Sequence, residues 1–316
     1  MKTAGQYFSF RKHHLALLVI ALVSVQGMFA QQDAQYTQYM YNTVTVNPAY
    51  TGSRGHISLA ALHRSQWIGL DGAPVTQTLN IHSPIGYRGV GLGLSVVNDK
   101  IGPTSETNFD IGFSYTIYTS KEGRLSFGLN GGGNLLDVRF SELNQFAPDQ
   151  TLAQDIDNRF APNFGLGIYY HNERFYAGLS VPRFLETDHF DTATLSTAKE
   201  RMNFYFISGY VWDLNNSLKF KPTVLAKLVS GAPIQVDFSA NFMLNEKFIL
   251  GAAYRLDAAV SGMVGFNISN EFLIGIAYDK EITELGNAAF NNGSFEVILR
   301  YDFISTKNNL KSPRFF

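Results

Sequence analysis

The chain has 316 residues, with 25 Lys and Arg against 26 Asp and Glu and a formal net charge of −1, a balance that excludes a basic face for nucleic acid and an acidic solvating tail. Cysteine is absent, which excludes a disulfide framework, a thiolate metal site and a cysteine nucleophile together. Charged residues are 16%, aromatics 14% and glycines 28 in number; with a mean hydropathy near zero, this excludes a bundle of membrane helices and fits strands that face lipid on one side.

Lys2, Arg11, Lys12, His13 and His14 precede an apolar run from Leu15 to Met28, and no acidic residue occurs before Asp33. A basic start, a short apolar core and small residues at Gly27 and Ala30 predict a secretory signal peptide over residues 1–30, cleaved after Ala30. The apolar core, about 14 residues, is too short for a spanning helix of ~20. Removing Lys2, Arg11 and Lys12 leaves 22 basic against 26 acidic residues, a mature charge of −4.

Residues 31–54 are rich in Gln, Tyr and Asn and do not alternate. Asn47-Pro48 signals a turn and Gly52 a second break. The segment is either a disordered leader or periplasmic stretch, or a plug. Polar, aromatic, charge-poor sequence suits a barrel lumen, with Tyr36, Tyr39, Tyr41 and Tyr50 packing through their rings and bonding the inner wall through their hydroxyls.

From residue 55 the chain reads at period two. Phe109, Ile111, Phe113, Tyr115 and Ile117 share one face, opposite Asp110, Gly112, Ser114 and Thr116. Likewise Phe295, Val297, Leu299, Tyr301 and Phe303 oppose Glu296, Arg300 and Asp302. Alternation of this kind is the strand signature, and about fourteen strands are predicted, starting near His56, Val75, Arg88, Asn108, Arg124, Asn163, Phe175, Arg201, Ser217, Ile234, Lys247, Ala259, Glu271 and Ser294. Short connections alternate with mostly longer ones, above all residues 141–159, 182–199 and 280–293. A sandwich would carry Lys, Glu and Arg outside; here one face is apolar and aromatic-ended and the other small and polar. The predicted fold is all-β, a transmembrane antiparallel barrel over residues 55–303, with residues 304–316 as a periplasmic tail. Its place is the outer membrane of a Gram-negative cell, as a multi-pass barrel in contact with lipid.

No catalytic, cofactor or metal site is assigned. Gly89, Gly91, Gly93 and Gly131–Gly133 lie in strands with no following helix to make a phosphate loop; inward glycine instead admits curvature or a second backbone. Asp188, His189 and Asp191 form the one tight His/carboxylate cluster, and Asp149, Asp155 and Asp157 lack calcium-loop spacing; both groups read as solvated loops. His56 and His63 fall on opposite faces of one strand. Lys219, Lys221 and Lys227 share an inward face if Phe220, Val224 and Leu228 face lipid, placed to pair with inward acids such as Asp237 or to set channel selectivity. Trp67, Ile68 and Leu70 are apolar for a loop tip, either an interface anchor or a loop folded over the barrel mouth.

Three blocks occur in order: "QYTQYMYNTVTVNPAYTGSRG" at 35–55, "LHRSQWIGLDGAPVTQTLNIHSPI" at 62–85 and "GVGLGLSVVNDKIGP" at 89–103. Together they resemble the PorP/SprF family of type IX secretion, and "NPAYTG" resembles the N-terminal motif of fatty-acid-transporter-like barrels, which carry an N-terminal hatch. The resemblance implies a non-enzymatic outer-membrane component. It would assist secretion or surface attachment of cargo, gliding adhesins included, by receiving the cargo's C-terminal domain, or would work beside a periplasmic lipoprotein ring. It marks Tyr39, Asn47, Pro48, Tyr50, Gly52, Arg64, Gln66 and Trp67 as plug or partner-binding residues. The alternative is a channel for a small hydrophobic solute.

Overall fold

A computed structural model describes residues 34–86, 89–142, 155–186, 202–287 and 290–304, with the signal-peptide region, Asp149, the Asp188-His189-Asp191 cluster and nearly all of the C-terminal tail lying outside them. The strands are β1 (Ile57–Ser65), β2 (Val75–Ile85), β3 (Val90–Ile101), β4 (Thr104–Tyr118), β5 (Arg124–Val138), β6 (Ile156–His171), β7 (Phe175–Val181), β8 (Asn203–Tyr210), β9 (Trp212–Asp213), β10 (Leu218–Val229), β11 (Gln235–Leu244), β12 (Phe248–Arg255), β13 (Ala259–Asn267), β14 (Phe272–Glu281) and β15 (Ser294–Phe303). β9 is a two-residue continuation of β8 that also pairs with β10. The other fourteen pair in sequence order, and β1 pairs antiparallel with β15, which closes the barrel. Closure matters because a sheet edge in hydrocarbon would leave backbone N–H and C=O groups without partners.

The alternation sets the two faces. On β4, Ile111, Phe113, Tyr115 and Ile117 are exposed on the outer wall, whereas Asn108 and Ser114 are buried inside. On β15, Glu296, Ile298, Arg300 and Asp302 point inward and Phe295, Leu299, Tyr301 and Phe303 outward. At the short-turn end the outer rings touch from strand to strand: Tyr170–Phe175, Tyr210–Trp212, Trp212–Phe220, Phe220–Phe242, Phe248–Phe266 and Phe272–Tyr301. Phe109–Phe160, Phe164–Phe184 and Tyr278–Phe295 pair toward the opposite end. An apolar band between aromatic girdles is the outer surface of an outer-membrane-type barrel. No helix among the described residues is long and apolar enough to cross a membrane.

Two strands are longer than the sequence predicts. β4 begins at Thr104 rather than near Asn108, and β6 at Ile156 rather than near Asn163. These added residues ("TSET", "IDNR") do not show the apolar alternation of the spanning parts, yet they pair with β3 and β5. Ladder hydrogen bonds need a partner strand and not a lipid face, so the hairpin continues past the hydrophobic band.

Candidate functional site

The described part of the N-terminal segment, residues 34–56, lies inside the barrel and does not form a strand. It folds as three short helical turns, Tyr39–Tyr41, Thr43–Val46 and Pro48–Tyr50, which satisfy part of the backbone locally where no sheet neighbour is available. Its core cluster joins Tyr36, Tyr39, Met40, Val46, Ala49 and Tyr50 to inward residues of the wall. Helical periodicity is too short here to read from sequence, which is why none was predicted.

At the loop end the segment is fastened by Arg64 of β1, Asp279 of β14 and Glu296 of β15, whose side chains are no more than 3% exposed. The backbone N–H groups of Thr37 and Gln38 each donate to Glu296 at 2.8 Å. The Thr37 hydroxyl donates to Asp279 at 2.6 Å and accepts from Arg64 Nη1 at 3.0 Å. Arg64 Nη1 itself lies 2.6 Å from Asp279 Oδ2 and 3.1 Å from Glu296 Oε2. Buried carboxylates of this kind persist only with such pairing and hydrogen bonding.

Midway down, Tyr39 shares a 2.7 Å hydrogen bond with Thr223, and Asn80 Nδ2 donates to Asn42 Oδ1. Asn47 Oδ1 accepts from Ala49 N at 2.9 Å, capping the turn that Pro48 begins, while its Nδ2 donates to the Ile168 carbonyl of β6 at 3.0 Å. Tyr50 meets His82 and Tyr169 edge-on, with ring centroids 5.6 and 5.4 Å away. The wall admits this backbone at glycines. A Cβ on Gly128 would overlap Ala49, and one on Gly91 would overlap the Thr51 carbonyl. Gly52 adopts φ 73° and donates its N–H to His82 Nδ1 at 3.0 Å.

At the turn end Arg54 makes two bonds to Asp302, from Nε at 3.1 Å and Nη2 at 2.7 Å. Ser58 donates to the same carboxylate at 2.7 Å, and His56 Nε2 stands 3.4 Å from it. His63 is on the outer wall beside Ser65, so the two histidines do face opposite ways.

Of the residues marked from sequence, the structure gathers Tyr39, Asn47, Pro48, Tyr50 and Gly52 in the lumen with Arg64 on the wall against them. Gln66 and Trp67 stand apart in the β1–β2 loop. Gln66 N donates to the Pro74 carbonyl at 2.9 Å. Trp67 has φ 46°, its N–H reaches Ser294 Oγ at 3.2 Å and its indole N–H donates to Glu281. Ile68 exchanges N–H···O bonds with Gly293 and Asn292, both at 2.9 Å, so this loop is folded onto the β14–β15 connection at the mouth.

Asp237, expected among the inward acids near the lysine face, pairs with Arg255 at 2.7 Å. Lys219 lies 3.3 Å from Glu246 at the rim, while Lys221 sits over the rings of Tyr41 and Tyr176. Also, Tyr36 and Tyr39 reach wall hydroxyls, but Tyr41 does not. Asp279, Glu296 and Asp302 were missed as fastening residues. Alternation puts Glu296 and Asp302 on the inner face, but nothing in one sequence names what they meet there.

Between segment and wall a cavity of about 100 Å³ remains, lined in part by Asp99, Glu106, Asp110, Lys227 and Asp237. In the loop outside the membrane, the backbone and hydroxyl hydrogen bonds of Ser141 hold the Asp155 carboxyl below the ordinary range. No group of three His, Asp or Glu among the described residues is placed to hold a metal ion.

Among solved structures, the chain is similar to CymD, a monoaromatic hydrocarbon channel, with TM-score 0.49 and 11% identity over 84% of this chain and 92% of that one. The Acinetobacter baumannii outer membrane protein Omp33 gives TM-score 0.48 and 9% identity, covering 80% of this chain and all (100%) of Omp33. The Ralstonia pickettii toluene transporter TbuX gives 0.46 and 10%, covering 82% and 92%. No curated protein matches by sequence. A family model described as "Type IX secretion system membrane protein PorP/SprF" matches residues 28–301, taking in the inserted segment and almost the whole barrel, and the chain belongs to that family of type IX secretion membrane proteins.

Proposed function

We propose that this protein is a non-enzymatic accessory of type IX secretion in the outer membrane of a Gram-negative cell. Exported through a cleaved signal peptide, it holds the C-terminal domain of secreted cargo, gliding adhesins among them, at its loop end. One observation carries the reading: the chain's own segment runs through the lumen from mouth to base, tied at the base by the buried Arg54–Asp302 pair and at the mouth by Thr37 and Gln38 bonded to the buried Arg64–Asp279–Glu296 cluster of the wall. A plugged barrel works by what it displays. The mouth displays exposed Phe290, Ile282 and Ile101 beside the folded Trp67 loop, and an extended cargo segment can pair with such loop backbone. A hydrophobic-solute channel fits less well, because the inserted segment takes up the lumen and the space that remains is lined by charged as well as apolar side chains.

The test is mild-detergent purification of the tagged mature protein from its own membrane, with mass spectrometry of what comes with it. Recovery of a large exported protein, reduced when Phe290→Ala and Trp67→Ala are combined, is the expected result. Recovery of a periplasmic lipoprotein ring in its place makes the protein core machinery. A barrel that purifies alone and conducts ions returns the channel.

A further inference from the structure

The Trp67 loop is seated on the same strand ends that fasten the inserted segment. On β14, Asp279 and Glu281 are two residues apart and share the inner face, as Ser294 and Glu296 do on β15. Register pairs Asp279 with Ser294, and Arg64 of β1 with Glu296. Asp279 and Glu296 join Arg64 in holding Thr37 and Gln38. Glu281 and Ser294, each the next inward residue toward the mouth on its strand, hold Trp67 instead. Its backbone N–H donates to Ser294 Oγ at 3.2 Å and its indole N–H to Glu281. The Arg64 cluster is no more than 3% exposed although it lies within two residues of the strand ends.

Trp67 is held there against its own backbone preference. Its φ of 46° is left-handed, a conformation that a residue with a Cβ keeps only where its surroundings fix it. A few bonds do the fixing: the two Trp67 donors, and the exchange of Ile68 with Gly293 and Asn292 at 2.9 Å. Next along the loop, a Cβ on Gly69 would overlap the carbonyl of Phe290, whose side chain is 70% exposed. Farther on, the Gly72 carbonyl accepts from Gly102 N at 2.9 Å and ties the loop to the β3–β4 connection. The bonds Gln66 to Pro74, Leu70 to Trp67 and Ala73 to Leu70 are internal to the loop, so its Trp67 end can lift without undoing them.

We infer that the Trp67 loop is a strap over the segment's upper fastening, and that a partner docked at the mouth lifts it and frees Thr37 and Gln38 from Glu296. The inference rests on the docking face proposed above. Seated, the strap keeps water from a cluster whose grip depends on staying dry. Lifted, it lets water compete for Asp279 and Glu296. Docking and release then favour each other, because both belong to the lifted state.

Hydrogen–deuterium exchange with mass spectrometry is followed in the mature protein in detergent, without a partner. Trp67→Gly relieves the strain and removes the indole bond. It is expected to speed exchange in the peptide carrying Thr37 and Gln38 about tenfold or more. The peptide carrying Ala49 and Gly52, held by Asn47 and His82, is expected to keep its rate. Trp67→Phe loses the indole donor and keeps a ring, and a smaller rise is expected. Phe290→Ala leaves the strap's bonds intact and is expected to change neither rate. Unchanged exchange at Thr37 and Gln38 in Trp67→Gly overturns the inference, and so does an equal rise at Ala49 and Gly52, which marks general loosening. Where an exported protein co-purifies, Thr37 and Gln38 are expected to exchange faster in that complex. A complex in which they keep their rate overturns release by the partner. Failure to recover any partner strikes the docking reading alone, because the variants are measured without one.

Discussion

Arg64 concentrates the cost of keeping the segment in place. One guanidinium serves Asp279, Glu296 and Thr37 with its side chain 2% exposed. Replacing it by Met leaves two carboxylates buried without their partner, and the expected loss is about 3–5 kcal/mol in urea unfolding. Adding Asp279→Asn and Glu296→Gln to that variant is expected to return most of the loss, because the stranded charges are then gone. Gly128→Leu tests the other side of the fit: its side chain would stand where Ala49 lies, costing about 1–3 kcal/mol as overpacking and exposing the segment to protease. At this scale the sequence shows which residue types face inward, as with Glu296 and Asp302, but not their partners. Tyr41 and Tyr50 show the limit. Both are tyrosines in one polar run, yet the turns of the backbone leave one hydroxyl with no hydrogen-bond partner among the described residues and set the other ring against His82 and Tyr169.

Strand identity and facing follow from alternation, so register is a sharper test. His63 on β1 faces Val297 on β15 across the closing seam, both on the outer side. The chain lacks cysteine, so His63→Cys with Val297→Cys introduces the sole thiols, and they are expected to form a disulfide on mild oxidation. Failure there while the neighbouring β1–β2 pair Ala61→Cys with Leu79→Cys cross-links would mean an open barrel. Leu129 faces lipid midway along β5, opposite Phe113 and Leu166. Leu129→Arg is expected to cost about 2–4 kcal/mol in a refolding titration into bilayers. The spanning parts of the strands were legible because lipid imposes an apolar face. The extensions of β4 and β6 were not, because outside the bilayer pairing survives without it.

Over the whole molecule, the segment runs from the mouth to the base: Gln35 meets Gln235 near the start of β11 on the loop side, and Arg54 meets Asp302 at the turn side. A membrane-impermeant maleimide is therefore expected to label Ala34→Cys from outside the cell and Gly55→Cys only once the periplasm is opened. The reverse pattern would invert the threading. Deleting residues 31–55 is expected to turn a silent barrel into an ohmic pore in planar bilayers. The sequence by itself determined the lipid-facing strands, their number and the order of short and long connections. It did so because each strand must satisfy water inside and hydrocarbon outside at a period of two, a constraint written into every pair of neighbours. Only the tertiary structure decided what fills the lumen and how it is held. Those contacts join Thr37 to Glu296 and Arg54 to Asp302 across more than two hundred residues, and no local pattern records a bond between positions that distant.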